Sequence, residues 1–225
     1  MRILAIDTAT EICGVALTRD GQLVAQEASM GATHTKVVMD GVRSVMQRAG
    51  LSFRDLDGLA VTRGPGSFTG LRIGISTVKG LAAATGIPLV GVSTLAVLAH
   101  QAPVHAAWVC PMIDARRREV YWTLYRRREA VLKSVTPEKA GPVDGMGIET
   151  RDAVFFIGNG AQLYFPLLQE RFPQAHRWED DASNAVRPDT VALLGGQRLA
   201  QGGQEDVHRF APVYLRRSDA ENMRS

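Results

Sequence analysis

The chain has 225 residues, 45% hydrophobic and 22% charged, which is the composition of a soluble globular protein with mass for one large domain or two small lobes. A formal net charge of only +3 does not by itself mark a nucleic-acid binder. Two cysteines, Cys13 and Cys110, lie in apolar runs and read as buried thiols of a reducing compartment, not as a disulfide framework or a zinc site.

Ile3 to Ile6 is a short apolar strand ending in Asp7, too short a run for a signal peptide. Thr8 to Glu11 is turn-like. Cys13 to Leu17 and Leu23 to Ala28 form further strands, joined at the hairpin signal Asp20-Gly21. Thr33 to Ala49 has helical spacing, with Val38, Val42, Val45 and Ala49 on one stripe and Gly50 as its stop. Leu59 to Thr62 is a strand that runs into RGPGSFTGLRIG. Leu71, Ile75, Val78 and Ala82 stripe the next helix, and Leu89 to Val92 is a strand. Leu81 to Ala99 is uncharged, but Gly86, Pro88 and Gly91 break it, so it does not read as a membrane span.

The pattern restarts near Pro103. Trp108 to Asp114 and Glu119 to Tyr125 are expected strands joined by an arginine turn, and Val154 to Ile157 is another. Asn159 is expected to cap a helix through Glu170, and Pro188-Asp189 to open a last helix to about Ala200. The tail is expected to fray after Arg217. Two α/β halves emerge, each with antiparallel strands followed by helix–strand alternation. We place the first lobe at 1–103 and the second at 104–225, with the final segment free to pack back on the first.

The loop at residues 63–74 invites a phosphate reading, since glycines precede a helix. A P-loop needs lysine and a hydroxyl after its last glycine, and here Leu71-Arg72 follow Gly70. A dinucleotide fingerprint needs a third glycine where Thr69 stands. It also needs an acidic residue about twenty positions on, and Gly58 to Ile113 carries no carboxylate. The competing structural reading is a tight turn at Gly64, Pro65 and Gly66, with Ser67 or Thr69 capping the helix. Gly70, Gly74 and Thr77 lie off the apolar stripe, near Ile73 and Gly80. Val37, Met39 and Met46 extend the apolar surface of the earlier helix. Two such helices could offer a flat surface to a partner or be buried on both sides within one chain.

Catalytic motifs are missing. There is no G-x-S-x-G elbow, and the five histidines show no H-x-x-x-H or H-E-x-x-H spacing. Asp7, with Thr8 and Thr10 behind it, could position magnesium-bound water beside a phosphate turn, or simply cap that turn; Ala9 sits where a phosphate turn would want glycine. Arg116–Arg118 and Arg126–Arg128 bracket VYWTLY. With Tyr121, Trp122 and Tyr125 between them they could touch RNA, or they could be solvated hairpin ends over core aromatics.

MRILAIDTATEICGVAL, RGPGSFTGLRIGI, IPLVGVSTL, IDARRREVYW and PVYLR, in that order along nearly the whole chain, resemble the bacterial TsaB (YeaZ) family. The resemblance implies an α/β protein of the actin/Hsp70/sugar-kinase (ASKHA) fold, two lobes with mixed sheets and flanking helices. It implies a cytoplasmic role in making N6-threonylcarbamoyladenosine beside the tRNA anticodon. In that family the catalytic paralogue TsaD performs the transfer, with TsaB and the ATPase TsaE as partners. Aligned with the paralogue, Thr94 and Leu98 take the places of its two metal-binding histidines. A non-enzymatic subunit without metal or cofactor is therefore expected, with tRNA reached through the complex, no membrane contact, and a homodimer when alone. The partner-binding helices carry the candidates Val38, Met39, Val42, Met46, Ile73, Thr77 and Gly80. Asp7, Thr8, Thr10, Gly64, Gly66 and Ser67 are expected as a vestigial nucleotide site. An autonomous ATPase or kinase using Asp7 and the Gly64–Gly66 loop is the alternative.

Overall fold

A computed structural model describes residues 1–30 and 34–216. It divides into two units, one of Met1–Val97 with Val186–Val213, the other of Leu98–Ala185 with the described chain from Tyr214 on.

The first unit holds a five-stranded sheet of order β3-β2-β1-β4-β5. Its strands are β1 (Arg2–Asp7), β2 (Ile12–Arg19), β3 (Gln22–Met30), β4 (Gly58–Gly64) and β5 (Leu89–Ser93). β1, β2 and β3 are antiparallel neighbours, whereas β1, β4 and β5 run parallel. The β2–β3 turn is the expected Asp20-Gly21 hairpin. Both residues have positive φ, 51° and 78°, as a two-residue turn matched to strand twist requires.

Alternation along the strands separates two faces. Leu4, Ile6, Leu59, Val61 and Leu89 join a core with Val38, Val42, Val45 and Met46 of α1 (His34–Ala49) and Ile75 and Val78 of α2 (Phe68–Thr85). The expected start of α1 at Thr33 lies outside the described residues. Side chains at intervening strand positions meet a later helix. A Cβ on Gly195 would run into Ala60, and one on Gly196 would reach Ile3. These glycines let α6 (Pro188–Ala200) return to the first unit's sheet. The boundary between the units thus falls after Val97, within α3 (Thr94–Gln101), not after residue 103.

The second unit repeats the pattern. β6 (Trp108–Asp114) pairs antiparallel with β7 (Glu119–Trp122) on one side and parallel with β11 (Val154–Ile157) on the other. The sheet order is β10-β7-β6-β11-β12, with β8 (Tyr125–Arg128) on β6 and β9 (Val131–Ser134) on β8. β10 is Lys139–Pro142 and β12 is Ala175–Arg177; α4 (Asn159–Arg171) and α5 (Asp181–Asn184) complete the unit. The expected strand Glu119–Tyr125 is two strands. At the break, Thr123 Oγ1 donates to the Thr136 carbonyl (2.8 Å), and the Thr136 hydroxyl accepts from Leu124 N (2.9 Å). Asn159 does not cap α4. Gly158 holds the cap position with φ 110°, and the Asn159 side chain accepts from Asp114 N at 3.0 Å.

Both cysteines are buried and free. Burial pushes the Cys13 thiol up to about 11 and raises that of Cys110 further, so neither is a thiolate at neutral pH. Among the described residues, no helix is long and apolar enough to cross a membrane.

Candidate functional site

Asp7, Thr8, Thr10, Gly64, Gly66 and Ser67 do converge, at the ends of β1 and β4 and the start of α2. Ser67 caps α2, its hydroxyl accepting from Gly70 N at 3.2 Å. Ser67 N donates to the Ala9 carbonyl at 2.7 Å, and Thr8 Oγ1 donates to the Gly70 carbonyl at 2.7 Å. The turn after β1 therefore lies directly against the loop and the first turn of α2. No Cβ fits between them. One on Gly66 would meet the Ala9 backbone, one on Gly70 the Thr8 carbonyl, and one on Gly74 the Thr8 hydroxyl. On the other side, a Cβ on Gly64 would strike the Val213 carbonyl, while Val213 N donates to the Arg63 carbonyl at 2.8 Å. The N–H groups of Ser67 and Gly70, which a phosphate at this helix terminus would want, already serve Ala9 and Ser67.

Asp7 is fully buried. Its Oδ1 accepts from Thr62 Oγ1 (2.6 Å) and Ala9 N (3.1 Å), while Oδ2 is buried without a hydrogen bond. Loss of water raises its carboxyl from 3.8 to about 6, and the bonds from Thr62 and the backbone hold it back from rising further. Thr8 is buried as well, and Thr10 is half-buried. A carboxylate that positions a hydrated cation must meet water; this one is fully buried. Thr62 was not singled out from the sequence, where it is only the end of an apolar strand.

Thr94 and Leu98 sit four residues apart on α3, both buried. An aliphatic side chain cannot ligate a metal and a neutral hydroxyl alone is a poor donor, so this pair of side chains does not offer a metal site. No group of three or more His, Cys, Asp or Glu side chains able to hold a metal occurs among the described residues.

The helix-face candidates separate. Val38, Val42 and Met46 belong to the core under α1, a correction to their expected place at an interface. Spacings of four keep them on the stripe that faces the sheet, so they cannot also face a partner. Met39 and Thr77 are half-buried, Ile73 is half-buried and packs partly against the same core, and Gly80 is exposed, with open space where a Cβ would stand. The Thr77 hydroxyl donates to the Ile73 carbonyl at 2.9 Å, within its own helix. Arg72 folds over the Phe68 ring at 3.8 Å, covering an aromatic at the start of the same helix.

The arginine runs differ from each other. Arg126 lies over Trp108 (4.9 Å) and Arg127 Nε donates to the Ala106 carbonyl (3.4 Å), while Trp122 and Tyr125 are buried. Arg116, Arg117 and Arg118 are exposed and have positive φ of 65°, 55° and 62°. Arginine is not a residue that sequence reasoning assigns to that conformation.

A family described as TsaD, tRNA N6-adenosine threonylcarbamoyltransferase, matches residues 26–223. The Escherichia coli tRNA threonylcarbamoyladenosine biosynthesis protein TsaB is 36% identical over 233 residues, covering 98% of this chain and 96% of that one. The solved structure of YeaZ from Pseudomonas aeruginosa is 33% identical with a TM-score of 0.82, covering 95% of this chain and 99% of that one. A ROK hexokinase from Thermus thermophilus, 10% identical, shares the fold alone (TM-score 0.52, covering 89% and 100% of the two chains). The two mixed sheets with flanking helices are thus the actin/Hsp70/sugar-kinase fold, and the chain belongs to the TsaB (YeaZ) family within the wider TsaD group.

Proposed function

We infer that the chain serves tRNA N6-threonylcarbamoyladenosine biosynthesis as a non-catalytic scaffold. It would hold the catalytic paralogue TsaD in its active conformation and help form the surface met by the ATPase TsaE and by tRNA, in the cytoplasm. The observation that carries this reading is the sealed loop. Glycines that a nucleotide-binding relative would place against phosphate here admit the Thr8–Ala9 backbone instead. Buried Thr94 and Leu98 agree with it, because the metal chemistry of the paralogue has no ligands at these positions.

The partner surface in this reading is the outer face of α1 and α2, reduced to Met39, Ile73, Thr77 and Gly80. The same face serves a second copy when the chain is alone. Gly80 is the sharpest probe, since its Cβ position is open and its replacement leaves the fold undisturbed. Gly80→Glu should give a normally folded chain that no longer assembles with the paralogue. Normal assembly of that variant would move the interface elsewhere.

The deciding experiment is reconstituted transfer of threonylcarbamoyl to tRNA, with this chain present or omitted. Product that requires both this chain and the paralogue fits the scaffold. Product without this chain overturns it. The rival, an autonomous ATPase or kinase, needs Asp7 to reach a solvated cation. Magnesium-dependent ATP binding by the isolated chain, lost in Asp7→Ala, would support that rival.

A further inference from the structure

At the end of β6 the chain makes a turn that the scaffold reading does not use. Ala115 N donates to the Glu119 carbonyl (2.9 Å) and Glu119 N to the Arg116 carbonyl (3.0 Å), which closes the turn. Asp114 Oδ1 accepts from Arg116 N at 3.0 Å, and Asp114 N is held by Asn159 Oδ1. Arg216 braces the far side, with Nη1 donating to Glu119 Oε2 (2.9 Å) and to the Ala115 carbonyl (3.2 Å). The frame is fixed from β6, α4 and the tail, and it forces three successive residues to positive φ.

All three are arginine. Left-handed backbone penalises every residue with a Cβ, and glycine or asparagine would occupy it more cheaply. Strain of this kind persists where the side chain has a use. The three side chains are exposed, that of Arg116 to 76%. The flanking carboxylates are engaged within the frame, Asp114 with Arg116 at 3.6 Å and Glu119 with Arg216, so the rim of the turn carries positive charge. Tyr164 of α4 stands beside it, half-buried with its ring partly packed on the second unit's core, its hydroxyl donating to Asp114 at 3.5 Å and feeling the charges of Arg118 and Arg116.

We propose that the Arg116–Arg118 turn, with Tyr164 beside it, is a docking point for the phosphodiester backbone of RNA. Guanidinium forks match phosphate oxygens in pairs and stay charged at any working pH. An aromatic ring next to such forks can take a base in a stack whatever its identity, a use that an acidic protein surface would not make of it. The other run is a poorer candidate, because Arg126 and Arg127 are half-buried, lying over Trp108 and against the Ala106 carbonyl, whereas all three residues of the turn are exposed. The inference rests on the scaffold reading only in taking the RNA to be a tRNA.

The test is the anisotropy of a labelled tRNA transcript titrated with the full chain, alone and with its catalytic paralogue, at several salt concentrations. The double variant Arg117→Gly with Arg118→Gly removes two charges while glycine accepts the left-handed backbone, so its thermal midpoint should not fall. We expect affinity to drop about tenfold and the salt slope to shrink by about 1.4, roughly 0.7 per phosphate contact. Tyr164→Phe should keep the affinity that Tyr164→Ala loses. Unchanged RNA affinity and slope in the folded double variant would overturn the proposal. So would a loss of affinity for the paralogue with RNA binding intact, which would make the turn a protein contact. If transfer proves independent of this chain while the double variant still loses RNA, the scaffold reading fails and the RNA site stands.

Discussion

Two strand ends in this molecule begin alike and finish differently. β1 ends at Asp7 and β6 at Asp114, each with an antiparallel hairpin partner on one side and a parallel strand on the other. Each aspartate accepts from the backbone N–H two residues on, Ala9 in one case and Arg116 in the other. Each lies near a helix start whose glycine permits close approach: a Cβ on Gly70 would meet Thr8, and one on Gly160 would come within 3.0 Å of Asp114 N. Beyond that point they part. The residues after Asp7 turn inward and fill the loop, so the carboxyl is sealed. The residues after Asp114 turn outward and carry three arginines. A repeated scaffold thus puts the same local hydrogen bond to opposite uses, one closing a site and one presenting a charged rim.

The sealing can be broken most directly at Gly70. Gly70→Val would push a branched side chain into the Thr8 carbonyl, which is backbone and cannot step aside. We expect a loss of about 3 kcal/mol, read from urea unfolding. A loss below 1 kcal/mol would mean that the turn after β1 yields easily and the loop is not closed.

Asp7 gives a second measure of the seal, of similar size but dependent on pH. Unfolded, its carboxyl titrates near 3.8; folded, near 6. Between those values only the unfolded chain releases the proton. The contribution of Asp7 is therefore most favourable below pH 3.8, falls as pH rises, and reaches its full penalty of about 3 kcal/mol above pH 6. Asp7→Asn should abolish that decline, seen as unfolding curves of the variant that lack the loss of stability shown by the parent between pH 4 and 6. Parallel curves would show that Asp7 ionises freely in the fold and is reached by water.

The two strand ends were unequally legible in the sequence. β1, β2, β4 and β5 read correctly because their apolar runs are short and bounded by turn residues, and Asp20-Gly21 has one common use. The loop glycines were also visible, and so was a close approach by some backbone. Which backbone was not, because small residues at Gly66, Gly70 and Gly74 record a gap and not its occupant. α3 was missed, since TLAVLAHQ is buried nearly all round and shows no polar face to set a period. At α1 the periodicity marks the core stripe, which includes Val38 and Val42, but not which remaining positions would meet a partner. One stripe cannot face both ways. At the second strand end, nothing in RRR announces positive φ, because the frame that imposes it comes from Asn159 and Arg216, distant in sequence.

A smaller effect sharpens the view of that outward turn. Arg117→Gly alone should raise stability by up to about 1 kcal/mol, because φ of 55° costs glycine little and arginine more. Thermal unfolding would show it. A destabilised variant would mean that the guanidinium contributes contacts to the fold exceeding the backbone strain, and the turn would be structural.

The smallest expected change separates two glycines on one helix. Gly70 and Gly80 both lie on α2, and a pattern of small residues treats them alike. Gly70 faces its own chain, while Gly80 has nothing within 4 Å of a Cβ. Gly80→Ala should therefore stabilise the isolated chain by about 0.5 to 1 kcal/mol, the ordinary helix preference for alanine. If the outer face of α2 meets the catalytic paralogue closely, the same methyl group should weaken that assembly. Stability rising while association falls is the combination that a purely structural glycine cannot produce, because a residue kept small for its own fold would lose both. Should stability rise with association unchanged, α2 would have room to spare at its outer face, and the partner would have to be sought on another surface of the first unit.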